Sequence, residues 1–407
     1  MIYSKWEEKE NIIGGLTKLD NKVSSIPIIK NEKGVYGLNK DSHNMIIGSD
    51  YNENAECILK PFIKSMVSSG HSFVINDISN IYEFIKEDLN DYSKIVIDLS
   101  NTKESNSFNP LYVPYVLYKK NKDKALKALE EVGYYLLNDG KIESDPFWEN
   151  TAIDYFCGLT MYLFETKGLV SVKDVFNLST DILEKADKDS FMSNIDTKSD
   201  IYAYLVGTMN TAPETYQSIL SVFHQKIKKY VVGDVLELLS NNDIKLDDIV
   251  DKKFAVFIKG VDKYASHIMP LIVSEINYLC EISKKNNRIE VVLDDFDSLI
   301  PIRDFTRLLK YSVLTDIRYT IILSGYKSVI NKYGVEKYGL LELCFQNVVY
   351  LLSNDVSTLK KISEYCGNIN KDGKDMPLIS VNELKTFKNG DALVLIPRYY
   401  PFKTNLL

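Results

Sequence analysis

The chain alternates short apolar runs with longer segments of helical length. The runs are rich in Val, Ile and Phe, and several are apolar at consecutive positions instead of every second one. Such runs are typical of parallel strands that are covered on both faces and joined by crossover helices. We predict strands at MIIG (45–48), SFVIND (72–77), KIVIDL (94–99), FAVFIK (254–259), EVVLDD (290–295), YTIILS (319–324), NVVYLL (347–352) and ALVLI (392–396).

The region between the third and fourth of these strands has a different pattern. About 150 residues there contain no convincing strand but hold amphipathic stretches at 122–138, 147–166 and 213–239. The two prolines of FNPLYVP (108–114) break regular structure where the chain leaves the sheet. The Asn- and Asp-rich stretch SNNDIKLDD (240–248) marks its return. The pattern therefore predicts an all-helical insertion.

These boundaries define the domain organisation that we predict. An N-terminal segment, residues 1–27, leads into an α/β domain with a mostly parallel sheet. Residues 28–112 and 246–407 form that domain, and residues 113–245 form the inserted all-helical domain.

Composition narrows the function classes. The 407 residues include 49 Lys and Arg against 56 Asp and Glu, a net charge of −7, so no overall positive field attracts nucleic acid or anionic membrane. The five cysteines form no CxxC pair, which argues against a disulfide framework or a zinc ribbon and favours the cytoplasm. The longest apolar stretch, 152–164, is shorter than the roughly 18 residues that cross a bilayer, so we expect a buried core helix. The N-terminus has no apolar signal-peptide region, and we expect any membrane attachment to come through a partner.

The first strand, loop and helix lie where a P-loop NTPase would hold phosphate. Such a loop reads GxxxxGK followed by Ser or Thr, so that backbone amides and a lysine surround the anion. Gly48 matches the first glycine, but Glu53, Asn54 and Ala55 occupy the second glycine, the lysine and the hydroxyl positions. From the residues alone, an ordinary turn between strand and helix is the better interpretation.

A second candidate element is the strand EVVLDDFDSL (290–299). It ends in Asp294 and Asp295, with a third carboxylate at Asp297. A Walker B strand ends in this way, because an acidic group at the carboxyl end of the strand holds the water shell of Mg²⁺. Acidic residues are common at strand ends, so this element alone favours an ordinary strand end. If the two elements share an ancestry, Asp294 and Asp295 must lie at the same sheet edge as Gly48.

The order and flanks of these elements resemble the type IV secretion coupling proteins of the TraG kind. DSHNMIIG (41–48) is similar to the strand before the family's P-loop, and GHSFVINDISNIYEF (70–84) to its next conserved-looking segment, with Asp77 at the acid of that motif. Asp145-Pro146-Phe147-Trp148 resembles the opening of the family's all-helical domain. VVLDDFDSL resembles the Walker B segment, and LISVNELKTFKNGDALVLIPRYYPFK (378–403) the closing segment. The resemblance covers nearly the whole chain.

The resemblance implies a RecA-like P-loop NTPase fold, in the α/β class, with an inserted all-helical domain. It places Asp294 and Asp295 at Walker B-like catalytic positions. It also implies a nucleotide site whose cofactor-binding positions are Gly48, Glu53, Asn54, Ala55 and Asp77.

The departures from the family pattern fall on catalytic positions. The P-loop Lys and Ser/Thr are missing, and two family glutamines appear as Ser324 and Ser328. The arginine-bearing segment appears as SVLTD (312–316). Loss of an arginine finger alone costs about 10³–10⁵ in rate. We expect a subunit with ATPase ancestry whose nucleotide site has decayed, and whether it is an enzyme stays open at this point.

Three functions follow from these observations as hypotheses. The leading one is a coupling-protein-like subunit of a conjugative or type IV secretion system that recruits DNA or protein substrate without hydrolysing ATP, and no cofactor is expected for it. The alternative is an active ATP-driven translocation motor with a non-standard phosphate loop, which would use ATP and Mg²⁺. In that case a lysine must come from elsewhere, and Lys60 and Lys64 are the nearest in sequence. The third hypothesis is a stand-alone scaffold.

The resemblance also implies partners. They are components of the secretion channel or membrane, a relaxase with its DNA or a protein substrate, and either further copies of this chain or an intact coupling ATPase. From the residues, Phe147 and Trp148 are best interpreted as core or helix packing, with base stacking as the alternative. In the resembling family the helical domain faces the substrates, so the two are also candidates for partner binding. We expect a location in the bacterial cytoplasm, either free or peripheral at the inner face of the membrane.

Overall fold

The computed structural model describes residues 3–138, 140, 146–185, 188–243, 252–260, 264–283 and 288–407, without the side chains of 281–283. The chain divides into two compact units. The first comprises Met1–Lys94, Val250–Lys259 and Ser283–Leu407, and the second comprises Ile95–Ile249 and Gly260–Ile282. Asp145 and residues 244–248 of the predicted return segment lie outside the described residues.

All eight predicted strands are confirmed, with ends that differ by one or two residues at most. They belong to a sheet formed by β4 (His43–Gly48), β5 (Ser72–Asp77), β6 (Ser93–Asp98), β7 (Phe254–Lys259), β8 (Ile289–Leu293), β9 (Ile317–Leu323), β10 (Phe345–Leu352), β13 (Asp391–Leu395) and β14 (Phe402–Asn405). The sequence patterns did not reveal β1 (Thr17–Lys18), β2 (Pro27–Asn31), β3 (Gly34–Gly37), β11 (Asn368–Lys371), β12 (Lys374–Pro377) and β14.

The sheet of the first unit is mostly parallel, as expected. Its order is β14-β13-β10-β4-β9-β8-β5-β7, and β6 begins in this unit and ends in the second. Every neighbouring pair from β10 to β7 is parallel, whereas β13 and β14 pair antiparallel at one edge. Every residue of β4, β5, β8 and β9 is buried, which is the burial expected of strands covered on both faces.

Helices and small sheets complete the first unit. The α-helices are Lys9–Ile12, Tyr51–Asn54, Lys60–Ser69, Ile81–Ile85, Phe305–Ser312, Tyr326–Tyr333, Val335–Glu342, Val356–Cys366 and Val381–Lys385. A π-helical turn, Ala55–Leu59, joins the second and third of these helices. Gly70 ends the third helix in the left-handed conformation, at φ 71°, so the chain can enter β5 directly. The strands β1, β2 and β3 form a separate three-stranded sheet, and β11 pairs with β12.

The second unit is helical, as the insertion pattern predicted. Its α-helices are Tyr112–Tyr118, Lys122–Leu137, Phe147–Thr166, Val172–Glu184, Lys188–Ser193, Asp200–Met209, Pro213–Ile227, Asp234–Ser240 and, up to Ile282, Ala265–Ser283. The apolar stretch 152–164 lies in the helix Phe147–Thr166, most of which is buried, so the predicted core helix is confirmed. In the described part of the chain, we find no helix with the length and apolar character needed to span a bilayer.

Candidate functional site

The sheet topology brings the predicted site residues to one edge of the first unit. The strands β4, β9, β8 and β5 are neighbours and run parallel, so their carboxyl ends lie side by side. Gly48 and Asp77 are the last residues of β4 and β5, and Asp294 directly follows β8. The hydroxyl of Tyr51, just beyond Gly48, hydrogen-bonds to Asp295. The expectation that Asp294 and Asp295 share an edge with Gly48 is therefore confirmed.

The turn after β4 is closed by a carboxylate. Asp50 is the N-cap of the helix that begins at Tyr51, and its Oδ1 accepts hydrogen bonds from the amides of Asn52 (2.9 Å) and Glu53 (3.1 Å). In a P-loop, backbone amides at the start of the helix bind phosphate oxygens. Here two such amides already have an internal anionic acceptor.

The side chain of Asn54 fills the space above Gly48. Its Nδ2 donates to the carbonyl oxygen of Gly48 at 3.0 Å, and both residues are buried. A Cβ built on Gly48 would lie 1.9 Å from Asn54 Oδ1, so glycine is required there by close approach. Asn54 Oδ1 is buried and has no hydrogen-bond partner among the described residues.

Glu53 and Ala55, the two remaining loop candidates, point to structural contacts. Glu53 is buried, and its Oε1 accepts the amide of Gly390 at 2.8 Å. Burial raises the pKa of Glu53, and the nearby carboxylates of Asp50 and Asp391 raise it further. Ala55 is buried at the start of the π-helical turn. Residues Tyr51–Asn54 form a helix, whereas the corresponding residues of a P-loop would still belong to the loop.

Asp294 is the most perturbed carboxyl group at this edge. It is fully buried, Oδ2 accepts the hydroxyl of Ser79 at 2.8 Å, and Oδ1 has no partner among the described residues. Burial raises the pKa of Asp294 to about 7, and the charges of Asp295 and Asp77 act in the same direction. A pKa of about 7 places the titration of the Asp294 carboxyl near neutral pH.

The other two predicted carboxylates have different surroundings. Burial also raises the pKa of Asp295, whose backbone is in the left-handed region at φ 54°. Asp77 accepts the amides of Ile81 (2.5 Å) and Tyr82 (2.9 Å), at the start of the helix Ile81–Ile85. Asp77 thus holds the loop after β5, and burial raises its pKa despite these hydrogen bonds.

Asp297 links the loop after β8 to the strand end of β9. Its Oδ2 accepts the amide and hydroxyl of Ser324 at 2.6 and 2.7 Å, and Oδ1 accepts the hydroxyl of Ser328. Both serines stand where the resembling family has glutamine. The two serines and Asp297 therefore form one hydrogen-bonded group.

Lys332 is a functional candidate that the sequence patterns did not reveal. Its ammonium donates to the backbone carbonyls of Asp297 and, at 2.7 Å, of Leu299. Burial lowers the pKa of Lys332, and the charges of Asp297 and Asp295 oppose that effect. The spacing of four residues from Ser328 on one helix was the available signal, because such residues share a face.

The two lysines considered for the phosphate position have other contacts. Lys60 Nζ lies 5.2 Å and Lys64 Nζ 4.8 Å from the ring centroid of Phe84. Lys60 also forms an ion pair with Glu56. Both ammonium groups therefore lie against the ring of Phe84, on the helix Ile81–Ile85, whereas Lys332 supplies a cation beside Asp295.

Phe147 and Trp148 lie in the second unit. Their side chains are 45% and 36% exposed, and their rings pack edge to face with centroids 5.1 Å apart. Neither side chain is a core residue, because the pair occupies the first turn of the helix Phe147–Thr166, ahead of its buried portion, so the core half of the core-or-helix-packing interpretation is wrong.

The fold and this sheet edge define the class first: an α/β protein with a RecA-like P-loop NTPase fold. The family described as "Type IV secretory system Conjugative DNA transfer" matches residues 59–376, more than half of the chain, and the protein belongs to that family. The match begins beyond the segment Gly48–Ala55.

Solved structures with similar folds agree with this class. The plasmid coupling protein TrwB in complex with a non-hydrolysable ATP analogue has a TM-score of 0.74 at 13% identity, covering 100% of this chain and 94% of that one. TrwB with ADP and Mg²⁺ gives 0.72 at the same identity and coverage. VirB4 of Thermoanaerobacter pseudethanolicus gives 0.56 at 13% identity, covering 96% and 98%. No curated protein sequence matches the chain.

Proposed function

We propose that this protein is a coupling-protein subunit that recruits a DNA or protein substrate to a conjugative or type IV secretion channel without hydrolysing ATP. Membership of the family supports the role in conjugative transfer. The absence of hydrolysis is our inference from the turn after β4.

The capped turn is the observation that carries the proposal. Asp50 occupies two amides at the helix start, and Asn54 occupies the space above Gly48. A phosphate group would have to displace both side chains before reaching the backbone. The lysine that bridges the β- and γ-phosphates of ATP in a P-loop is also missing, because Asn54 stands at its position.

The charges at the edge also oppose a nucleotide. Carboxylates of Asp50, Glu53, Asp295 and Asp297 surround the strand ends, and the ammonium of Lys332 is already held by two carbonyls. A like-charge contact at about 4 Å costs roughly 4 kcal/mol at the effective dielectric constant near a protein surface. The phosphates of ATP would meet several such charges.

The residues fit Mg²⁺ poorly. Carboxylate oxygens of Asp294 and Asp295 are suitable ligands in kind. However, Ala55 replaces the hydroxyl that holds the ion in a P-loop, and the Asp294 carboxyl is fully buried with Oδ2 already accepting the hydroxyl of Ser79. We therefore assign neither ATP nor Mg²⁺ to the working form of this protein.

Isothermal titration of the purified full chain with ATP and Mg²⁺ tests this part of the proposal. We expect no saturable heat, because the amides and the space that phosphate needs are occupied. An intact coupling ATPase measured under the same conditions serves as the positive control. A dissociation constant in the low micromolar range for this chain would contradict the proposal.

The alternative of a working motor is favoured by one observation. Asp294 and Asp295 stand at the Walker B-like position, and Lys332 supplies a cation beside Asp295. In that case Lys332 would have to leave its carbonyl acceptors and contact phosphate. ATP hydrolysis by wild-type protein that is lost in Lys332→Met would support the motor, and no hydrolysis by either supports our proposal.

Recruitment is assigned to the exposed aromatic pair of the second unit. Phe147 and Trp148 expose two adjacent aromatic rings that pack against each other. Exposed aromatic side chains are common anchors of protein interfaces. We expect Phe147→Ser/Trp148→Ser to lose capture of the secretion partners or substrate in a pull-down. Leu169→Ser/Leu183→Ser is the matched control, since those side chains are 40% and 39% exposed in the same unit. Equal capture by both double variants would refute the assignment.

The partners follow from the family. We infer contacts with channel or membrane components, with a relaxase and its DNA or a protein substrate, and with further copies of this chain or an intact coupling ATPase. With a net charge of −7, the isolated chain should bind DNA no more tightly than about 10⁻⁴–10⁻⁶ M at physiological salt. Fluorescence anisotropy with single- and double-stranded oligonucleotides at two salt concentrations measures this.

A further inference from the structure

A polar cavity lies in the first unit at the edge of the sheet opposite to the one that carries Gly48. Its volume is about 600 Å³, within the range of small-molecule sites. It is lined by residues at the amino ends of parallel strands: His71, Lys253, Arg288 and Asp316 directly precede β5, β7, β8 and β9, and Asp41 lies two residues before β4. Lys22, from the loop between β1 and β2, and Lys40 complete its charged lining.

The floor of this cavity is a rigid ionic network around Arg288. Its Nε pairs with Glu290 Oε1 at 2.8 Å, its Nη1 lies 3.5 Å from Asp316 Oδ1, and its Nη2 donates to the carbonyl oxygen of Lys40. Arg318 Nη2 also lies 3.5 Å from Asp316 Oδ1. A guanidinium held in this way is fixed in orientation before any ligand arrives.

The charges of the network cancel, which leaves two lysines in excess. Lys40 pairs with Asp41 at 2.8 Å, so Lys40, Arg288 and Arg318 balance three carboxylates when Glu290 is ionised. His71 adds no charge at neutral pH, because burial lowers its pKa to about 4. In the described part of the chain, no carboxylate forms an ion pair with Lys22 or Lys253. The side chains that line the cavity therefore carry a net positive charge, in a chain whose net charge is −7.

Lys253 is held in place by groups other than an anion. Its ammonium lies 4.4 Å from the ring centroid of Tyr92, whose hydroxyl donates to the carbonyl of His71 at 2.9 Å. The side chain of Lys253 also lies close to Gly70, where an added Cβ would be 3.7 Å from the ammonium nitrogen of Lys253. The left-handed φ of Gly70, 71°, strains any side chain there, so the backbone keeps this wall of the cavity open. The cation is thus positioned without being neutralised.

We propose that this cavity binds a small phosphorylated anion, with Lys22 and Lys253 contacting phosphate oxygens above the fixed guanidinium of Arg288. Lysine is a point-charge donor suited to phosphate, and charge-assisted hydrogen bonds are the strongest such contacts. The phosphate group belongs either to a soluble compound or to the headgroup of an anionic lipid. This site is separate from the edge that carries Gly48 and does not depend on the proposed function.

Isothermal titration of the full chain with pyrophosphate tests the proposal. We expect saturable binding by the wild type, and at least about tenfold weaker binding by Lys22→Ser/Lys253→Ser, the loss for about 1.4 kcal/mol of contact energy. The matched control, Lys371→Ser/Lys374→Ser, removes the same charge from the exposed strands β11 and β12. We expect its affinity to equal that of the wild type.

Two results would overturn the proposal. One is no binding by the wild type up to about 1 mM pyrophosphate, where even a weak site of about −4 kcal/mol would be half filled. The other is equal weakening in both double variants, which would indicate a general charge effect or binding elsewhere. Circular dichroism verifies folding, and the single variant Lys22→Ser replaces the double variant if that one fails to fold, since Lys22 is exposed.

Sedimentation with lipid vesicles distinguishes the two sources of phosphate. Binding to phosphatidylglycerol vesicles but not phosphatidylcholine vesicles, lost in Lys22→Ser/Lys253→Ser and competed by pyrophosphate, would assign a lipid headgroup. Pyrophosphate binding with no vesicle binding would assign a soluble phosphorylated compound. Both results support the cavity as an anion site.

Discussion

Replacement of Asp294 by asparagine should change how stability depends on pH. Asp294 is fully buried, and its pKa is raised from 3.8 to about 7, mainly by burial. A group whose pKa is raised on folding contributes stability that is fully present below its unfolded value, about 3.8, and is lost as pH rises through about 7. Wild-type protein should therefore lose stability relative to Asp294→Asn between about pH 4 and 8, with a plateau above.

The size of the effect follows from the two pKa values. The full difference between 3.8 and about 7 sets a ceiling of about 4 kcal/mol, and the part that falls between pH 5 and 8 is about 3 kcal/mol. Asparagine keeps an oxygen for the hydroxyl of Ser79, but its amide nitrogen replaces the unpartnered Oδ1. That unsatisfied donor costs about 1–3 kcal/mol at every pH. The variant can therefore be less stable at pH 5, while its stability relative to wild type still rises with pH.

Urea unfolding at four pH values between 5 and 8 measures this change. The chain has two tryptophans, Trp6 and Trp148, one in each unit, so a Trp148→Phe background leaves a reporter in the first unit only. Asp88→Asn, at an exposed carboxylate of the same unit, is the charge-matched control. A difference between wild type and Asp294→Asn that stays constant across the pH range would refute the reasoning.

Two further predictions concern the helix start after β4 and the core of the second unit. Asp50→Ala should destabilise the first unit by about 1 kcal/mol, because two amides lose their acceptor, whereas Asp50→Asn should retain most of the stability; urea unfolding followed by Trp6 measures both. Gly158→Ala should destabilise the second unit by about 1–3 kcal/mol, because the new Cβ would lie 2.5 Å from Leu205 Cγ. Gly207→Ala, with no heavy atom within 4 Å, should instead stabilise by up to about 1 kcal/mol, and a similar loss for both variants in thermal unfolding would contradict this reading.

The strands that the sequence revealed are those buried on both faces. Their apolar positions are consecutive, so each run stands out from its surroundings, as in β5 and β9. The strand β12 was missed because all four of its residues are exposed and its pairing with β11 leaves no hydrophobic pattern. The helix Val172–Glu184 was also missed, although Ser171 and Asp174 form a capping box that is readable in the sequence.

The sequence predicts the parts of the site that depend on strand order and local pattern, but not the contacts between residues that are distant in sequence. The parallel strand order that unites Gly48 with Asp294 follows from strand type and family resemblance. The capped turn had a readable signal, since Asp50 followed three residues later by Glu53 is a capping pattern before a helix. The contact of Glu53 with Gly390 has no readable signal in the sequence, because 337 residues separate the two and only the folded sheet edge brings them together.

The capped turn also explains how the first unit can be stable without a nucleotide. A helix start needs an acceptor or an anion for its free amides, and a P-loop ATPase takes it from the ligand, whereas here Asp50 supplies it from within the chain. Nucleotide added to the protein should then leave the stability of the fold unchanged, because it does not bind. A ligand present at 100 times its dissociation constant stabilises a protein by about 2.7 kcal/mol, which for a chain of this size raises the melting temperature by at least about 2 °C. We expect no shift in the melting temperature with about 1 mM ATP and Mg²⁺, whereas a shift of that size would show that phosphate displaces Asp50 and would restore the motor hypothesis.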